Sequence, residues 1–201
     1  MTAAKVGRIA LTGGIATGKT HVRAQFEAHG VPTIDADTLA RRAVDRGTPG
    51  LSAVVARFGE DVLDSAGNLD RKKVAGIVFE DAQARQDLER IIHPVVRQAI
   101  DDWFAALDPL RYPFGIADIP LLYETGRDRD FASVIVVACD PEEQLRRLMA
   151  RDGITEEEAS LRIRAQMPLS EKVRLADHVI RTDGTFAETN EQIRRILAAL
   201  S

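Results

Sequence analysis

The stretch Gly13-Gly14-Ile15-Ala16-Thr17-Gly18-Lys19-Thr20 spells G-x-x-x-x-G-K-T. It follows the apolar run Ile9-Ala10-Leu11 and precedes a helix-compatible segment from Val22 to Ala28, so the local order is strand, glycine-rich loop, helix. A loop that wraps a polyphosphate turns several backbone N–H groups inward, and glycine reaches the positive φ this requires without a Cβ penalty. A helix starting near Gly18 adds its unsatisfied amides and the positive end of its dipole. Lys19 supplies a mobile cation for the β and γ phosphates and Thr20 a hydroxyl for Mg²⁺, while Gly14, Ile15, Ala16, Thr17, Gly18 and His21 complete the expected nucleoside triphosphate cradle.

The 201 residues suit one domain, with an insertion and a substantial core. A net charge of −4 argues against a general nucleic-acid or membrane-surface binder, because neither polyanion attracts an acidic protein outside a local basic patch. The single cysteine, Cys139, lies in an apolar run, where a buried structural thiol in a reducing cytosol is expected. No apolar stretch approaches the roughly 20 residues of a membrane span, and the N-terminus lacks the basic-then-apolar layout of a signal peptide. A cytoplasmic location is therefore expected. No residue pattern specifies an oligomeric state.

Along the chain, Val31 to Ile34 reads as a second strand ending in Asp35-Ala36-Asp37, with a helix expected from Thr38 to Val44. Ligands of a parallel α/β sheet bind beyond the carboxyl ends of its strands, so this acid pair is expected near the phosphate loop, one Asp capping the helix and the other serving catalysis. From Thr38 to Asp108 the pattern is helical and interrupted, with one helix expected to stop at His93-Pro94 and another to start at Val95. His93 either ends that helix or contacts substrate. Tyr112 to Leu122 holds the third strand and its exit, Ser133 to Cys139 the fourth, and Ala176 to Ile180 a short fifth. Asp118 and Asp140 both end strands; Asp140, followed by Pro141, also reads as an N-cap, which leaves Asp118 for the site. Between Gln144 and Gln166 the arginines Arg146, Arg147, Arg151, Arg162 and Arg164 flank a turn at Asp152-Gly153 and a capping box opening at Thr155. A helical hairpin with that many guanidinium groups suits a lid over a triphosphate.

Taken in order, Leu11-Thr12-Gly13-Gly14-Ile15, Ile34-Asp35-Ala36-Asp37, His93-Pro94, Asp118-Ile119-Pro120-Leu121-Leu122-Tyr123-Glu124, Arg151-Asp152, Gln166 and Ala176-Asp177-His178-Val179-Ile180 resemble the dephospho-CoA kinases over nearly the whole chain. The resemblance implies a P-loop fold: a five-stranded parallel sheet flanked by helices (residues 1–37, 110–143 and 167–201), a helical substrate-binding insertion (38–109) and a lid (144–166). It implies transfer of the γ-phosphoryl group of ATP, with Mg²⁺, to the ribose 3′-hydroxyl of dephospho-CoA, the last step of coenzyme A synthesis. Asp37 would then orient or deprotonate the attacking hydroxyl with Asp35 in reserve, and Arg147 and Arg151, which the sequence does not rank, would stabilise the transferred group. Asp37, His93, Asp118 and Leu121 would meet the acceptor.

Two positions depart from the family pattern. Ala16 stands where glycine is common, which is tolerable if its φ is negative. The turn after Ile180 is Arg181-Thr182-Asp183-Gly184 in place of an asparagine-containing one, so adenine contacts would fall to backbone groups or Thr182. Another small-metabolite or nucleoside monophosphate kinase would share the core and lid. A GTPase-like switch fits poorly, because the chain has no Asn-Lys-x-Asp tetrapeptide and its Asp-x-x-Gly, Asp64 to Gly67, lies in a turn of the insertion. A transport-type ATPase lacks support without a Leu-Ser-Gly-Gly-Gln stretch.

Overall fold

The computed structural model describes residues 5–200. Five strands, β1 (Gly7–Gly13), β2 (Thr33–Asp35), β3 (Phe114–Asp118), β4 (Ser133–Ala138) and β5 (His178–Arg181), form one sheet in the order β2-β3-β1-β4-β5, with every pairing parallel. The three inner strands are near-continuous apolar runs because helices cover both faces of a parallel sheet. β3 is buried along its whole length, while the short edge strands β2 and β5 keep partial exposure.

Alternation along the strands builds the core of this unit. Ile9 and Leu11, Ile135 and Val137, and Phe114 and Ile116 each sit two apart and so share a face. They pack with Val22 and Phe26 of α1 (Lys19–Ala28) and with Ile193 and Ile196 of α9 (Phe186–Leu200). Phe26 has no exposed surface, and truncating it to Ala would cost about 3–5 kcal/mol. Cys139 is buried just past β4, and burial pushes its thiol up to about 11.

Between β4 and β5 run α6 (Pro141–Asp152), α7 (Glu156–Arg164) and α8 (Leu169–Leu175). Thr155 and Glu158 exchange the reciprocal bonds of the expected capping box. Asp140 takes the N-cap position before Pro141, although its side chain makes no capping bond. The helix α8 has no counterpart in the sequence reading.

The chain divides into two compact units: the described residues up to Asp35 together with those from Phe104 onward, and Ala36–Trp103. The second is a run of helices, α2 (Ala36–Arg42), α3 (Pro49–Phe58), α4 (Arg71–Glu80) and most of α5 (Ala82–Ala106), around Val44, Val54, Val62 and Val74. One expectation fails here: no helix ends at His93-Pro94. α5 continues through Pro94, giving up one backbone hydrogen bond that the apolar packing of Leu88, Ile91 and Ile92 outweighs. Among the described residues no helix is long and apolar enough to cross a membrane.

Candidate active site

Register places the acids. Asp35, the last residue of β2, and Asp118, the last of β3, are direct partners across the sheet, and Asp118 is likewise opposite Leu11, two residues before the phosphate loop. Helical spacing places the cations: Lys19 and Arg23 lie four apart on α1 and therefore share a face. The two pairs meet. Lys19 Nζ is ion-paired with Asp118, and Arg23 Nη1 donates to Asp35 at 2.5 Å and to Asp118 at 3.3 Å. Burial pushes the Asp118 carboxyl above the ordinary aspartate range and Asp35 adds to this, while Lys19 and Arg23 pull it back. Burial works against the charge of Arg23, but Asp35, Asp118 and Glu27 more than offset it and raise its pKa. Arg23 escaped the sequence reading; its signal was the four-residue step from Lys19.

The phosphate loop is braced from within and from below. Thr17 donates its hydroxyl to the Gly14 carbonyl at 2.9 Å, and Thr182 donates to the Thr17 carbonyl at 2.8 Å. Gly18 at φ 88° sits in the left-handed region that only glycine enters freely, directly before α1. Ala16 sits there too, at φ 60°, so the negative φ under which its methyl group would be tolerable is not what the chain adopts. A left-handed non-glycine residue costs roughly 1–2 kcal/mol. Thr20 is exposed at the head of α1.

The arginine-rich hairpin separates its two candidates. Arg147 donates to the Thr182 hydroxyl at 3.0 Å and to its carbonyl at 2.6 Å, and its Nε donates to Glu143 at 2.7 Å. Hydrogen bonds from Arg146 and Arg147 hold the Glu143 carboxyl down at about 2. Arg151 instead bonds its neighbour Asp152, which also accepts from Arg162. Arg147 lines a cleft of about 560 Å³ together with Gly18, His21, Thr182, Phe186 and Thr189. Phe186 is 73% exposed, and its ring lies 4.6 Å from that of His21, whose Nε2 is 3.2 Å from Asn190 Oδ1. The Thr182 hydroxyl, a candidate for adenine, is occupied by the loop and by Arg147.

The remaining candidates are distributed. Asp37 is exposed in the first turn of α2 and His93 is exposed in mid-α5, both within Ala36–Trp103. Leu121 is 44% exposed in the turns after β3. Among the described residues no three His, Cys, Asp or Glu side chains cluster to hold a metal. A hydroxyl such as that of Thr20 and a carboxylate such as that of Asp118, which Lys19 and Arg23 engage here, are oxygen donors of the kind a hard cation such as Mg²⁺ takes, one or two protein groups with its other positions left to water and phosphate.

Comparison with known proteins identifies a family for the chain. The family model for dephospho-CoA kinase matches residues 8–188. The dephospho-CoA kinase of Shouchella clausii is 46% identical over 191 residues, covering 95% of this chain and 97% of its own. A crystal structure from Thermus thermophilus superposes with a TM-score of 0.84 at 34% identity over 98% of this chain and 99% of that one. The dephospho-CoA kinase from Campylobacter jejuni gives 0.74 at 28% identity over 96% of each chain. With its phosphate loop, its paired strand-end acids and a match along almost its entire length, the chain belongs to the dephospho-CoA kinase family.

Proposed function

We infer that this protein transfers the γ-phosphoryl group of ATP to the ribose 3′-hydroxyl of dephospho-CoA, giving coenzyme A in the last step of its synthesis. The observation that carries the reading is the near-complete match to that family, and the meeting of Lys19 with Asp118 at the end of β3 supports it. In this reading Lys19 and the loop amides from Ala16 to Thr20 bind the triphosphate, with Lys19 exchanging Asp118 for phosphate oxygens as ATP enters. Thr20 and Asp118 would hold Mg²⁺, which when bound neutralises charge on the β and γ phosphates. Asp37 accepts the proton of the attacking hydroxyl. Asp35 is the weaker candidate for that role because Arg23 already holds its carboxylate.

The adenine base belongs in the cleft beside Phe186, whose exposed ring offers a stacking face next to His21. Arg147, joined to that cleft, is favoured over Arg151 for stabilising the transferred group. The domain boundaries of this reading are a sheet core, an acceptor-binding unit within 38–109 and a lid over 144–166. Purified protein with ATP and Mg²⁺ should phosphorylate dephospho-CoA in preference to AMP, CMP and shikimate; preference for any of those three would overturn the acceptor assignment.

A further inference from the structure

One residue of the phosphate loop is held from both sides. Gln144 donates from Nε2 to the Ile15 carbonyl at 2.8 Å, and Gln166 accepts at Oε1 from the Ile15 N–H, also at 2.8 Å. Chemistry fixes which end of each amide is used, since only an NH₂ can serve a carbonyl and only an oxygen can serve an N–H. Gln144 is in the first turns of α6 and is 4% exposed; Gln166 lies two residues beyond the last residue of α7. The arginine-rich hairpin therefore enters and leaves through contacts to the same loop residue. Gly14 fits the same arrangement, because a Cβ there would come within 2.5 Å of Gln144 Nε2.

The exit side is anchored further. Met167 N–H donates to Glu124 at 3.0 Å, and Glu124 is ion-paired at 2.7 Å with Lys172, a lysine with no exposed surface that also donates to the Pro120 carbonyl at 3.1 Å. Glu124 itself keeps solvent contact, but Lys172 does not, so losing Glu124 would strand a buried charge and this segment is firmly mounted.

A trans peptide is planar, with its C=O and N–H on opposite sides. Drawing the Ile15 carbonyl toward Gln144 therefore aims the N–H of Ala16 the other way, and engaging the Ile15 N–H with Gln166 withdraws it from any other acceptor. Ala16 is the residue held at φ 60°, so the clamp acts on the peptide where the loop is most strained.

We propose that Gln144 and Gln166 are positioning residues that set the two peptide planes around Ile15, so that the Ala16 amide, and not the Ile15 amide, is presented to the nucleotide's phosphates. The two glutamines also make the loop and the α6–α7 hairpin move as one piece. The proposal rests on the triphosphate reading of the loop, and its test has one readout that involves no nucleotide. Amide exchange at Ile15, followed by NMR in the ligand-free protein, should quicken at least about tenfold in Gln166→Met and stay near wild type in Gln166→Glu, whose carboxylate still accepts. In parallel, Gln144→Met should raise the KM for ATP at least about fivefold with the KM for the acceptor unchanged. Wild-type exchange in Gln166→Met, or a wild-type KM for ATP in Gln144→Met, overturns the clamp. ATP binding by the unmutated protein, measured alongside, tests the triphosphate reading separately: its absence sinks that reading whatever Ile15 does.

Discussion

Lys19 is ion-paired with Asp118, so the cation expected to meet phosphate is already engaged by a carboxylate that is 3% exposed. The resting site is a charge pair waiting for a stronger anion. Arg23, at 3.3 Å, is a second cation on the same carboxylate.

Lys19→Ala should therefore do two things. Turnover should fall by at least about 10²-fold, the scale of losing one preorganised charge in a transition state. Thermal stability should also drop, by less than the roughly 3–5 kcal/mol of an orphaned buried charge, because Arg23 persists. Adding Asp118→Ala should restore part of the stability and none of the turnover. Near-normal turnover in a folded Lys19→Ala protein would show that the phosphates bind elsewhere.

Asp118 gives a pH dependence. Its folded pKa is raised, chiefly by burial, so its contribution to stability is present below the ordinary aspartate value and is lost as pH rises through the raised one. Asn mimics the protonated form. The Tm of Asp118→Asn relative to wild type should thus be higher at pH 7 than at pH 4, as melting curves at both values can check; a difference that grows on acidification contradicts the raised pKa.

The two acids of the Asp-Ala-Asp segment should behave differently. Asp37→Asn should lower kcat by about 10²-fold or more with ATP affinity almost unchanged, as for loss of a general base. Asp35→Asn should chiefly loosen Arg23 and give a smaller effect on kcat. If ATP affinity alone falls in Asp37→Asn, that residue holds nucleotide and is not the base.

Phe186→Ala should weaken ATP binding by about tenfold, given that stacking on a base is worth about 1–3 kcal/mol, and should leave the KM for dephospho-CoA alone. Because the side chain is 73% exposed, little stability should be lost. An unchanged KM for ATP would remove the base from this cleft.

At Ala16, substitution by glycine should relieve roughly 1–2 kcal/mol of left-handed strain at an entropic cost of about 0.5–1 kcal/mol. A rise in Tm of about 1–3 degrees is expected. A lower Tm would mean that the methyl group makes packing contacts worth more than the strain.

The parallel sheet, the loop and the strand-end acids were legible because each is a local pattern: apolar runs of strand length, a fixed glycine spacing, an acid at a run's end. Arg23 was only half legible: its four-residue step from Lys19 is local, but the acids it bridges are brought together by register between β2 and β3, which no local window contains. Helix α8 was missed because Leu169–Leu175 is short and its buried residue is Lys172, whose apolar stem and distant partner Glu124 reverse the usual meaning of a lysine. Pro94 misled for the opposite reason: the local rule was sound, and packing around Ile91 and Ile92 overrode it. The left-handed Ala16 could not be read at all, since backbone angles at a loop residue follow from what grips the peptides beside it.

Cys139 carries a practical consequence. It is the chain's one cysteine, it is buried, and its pKa of about 11 leaves almost no thiolate near neutrality. Maleimide dyes should pass it by, so a cysteine introduced at Leu161, 56% exposed on α7, would take a single fluorophore and report on the hairpin's surroundings with no background from the rest of the chain.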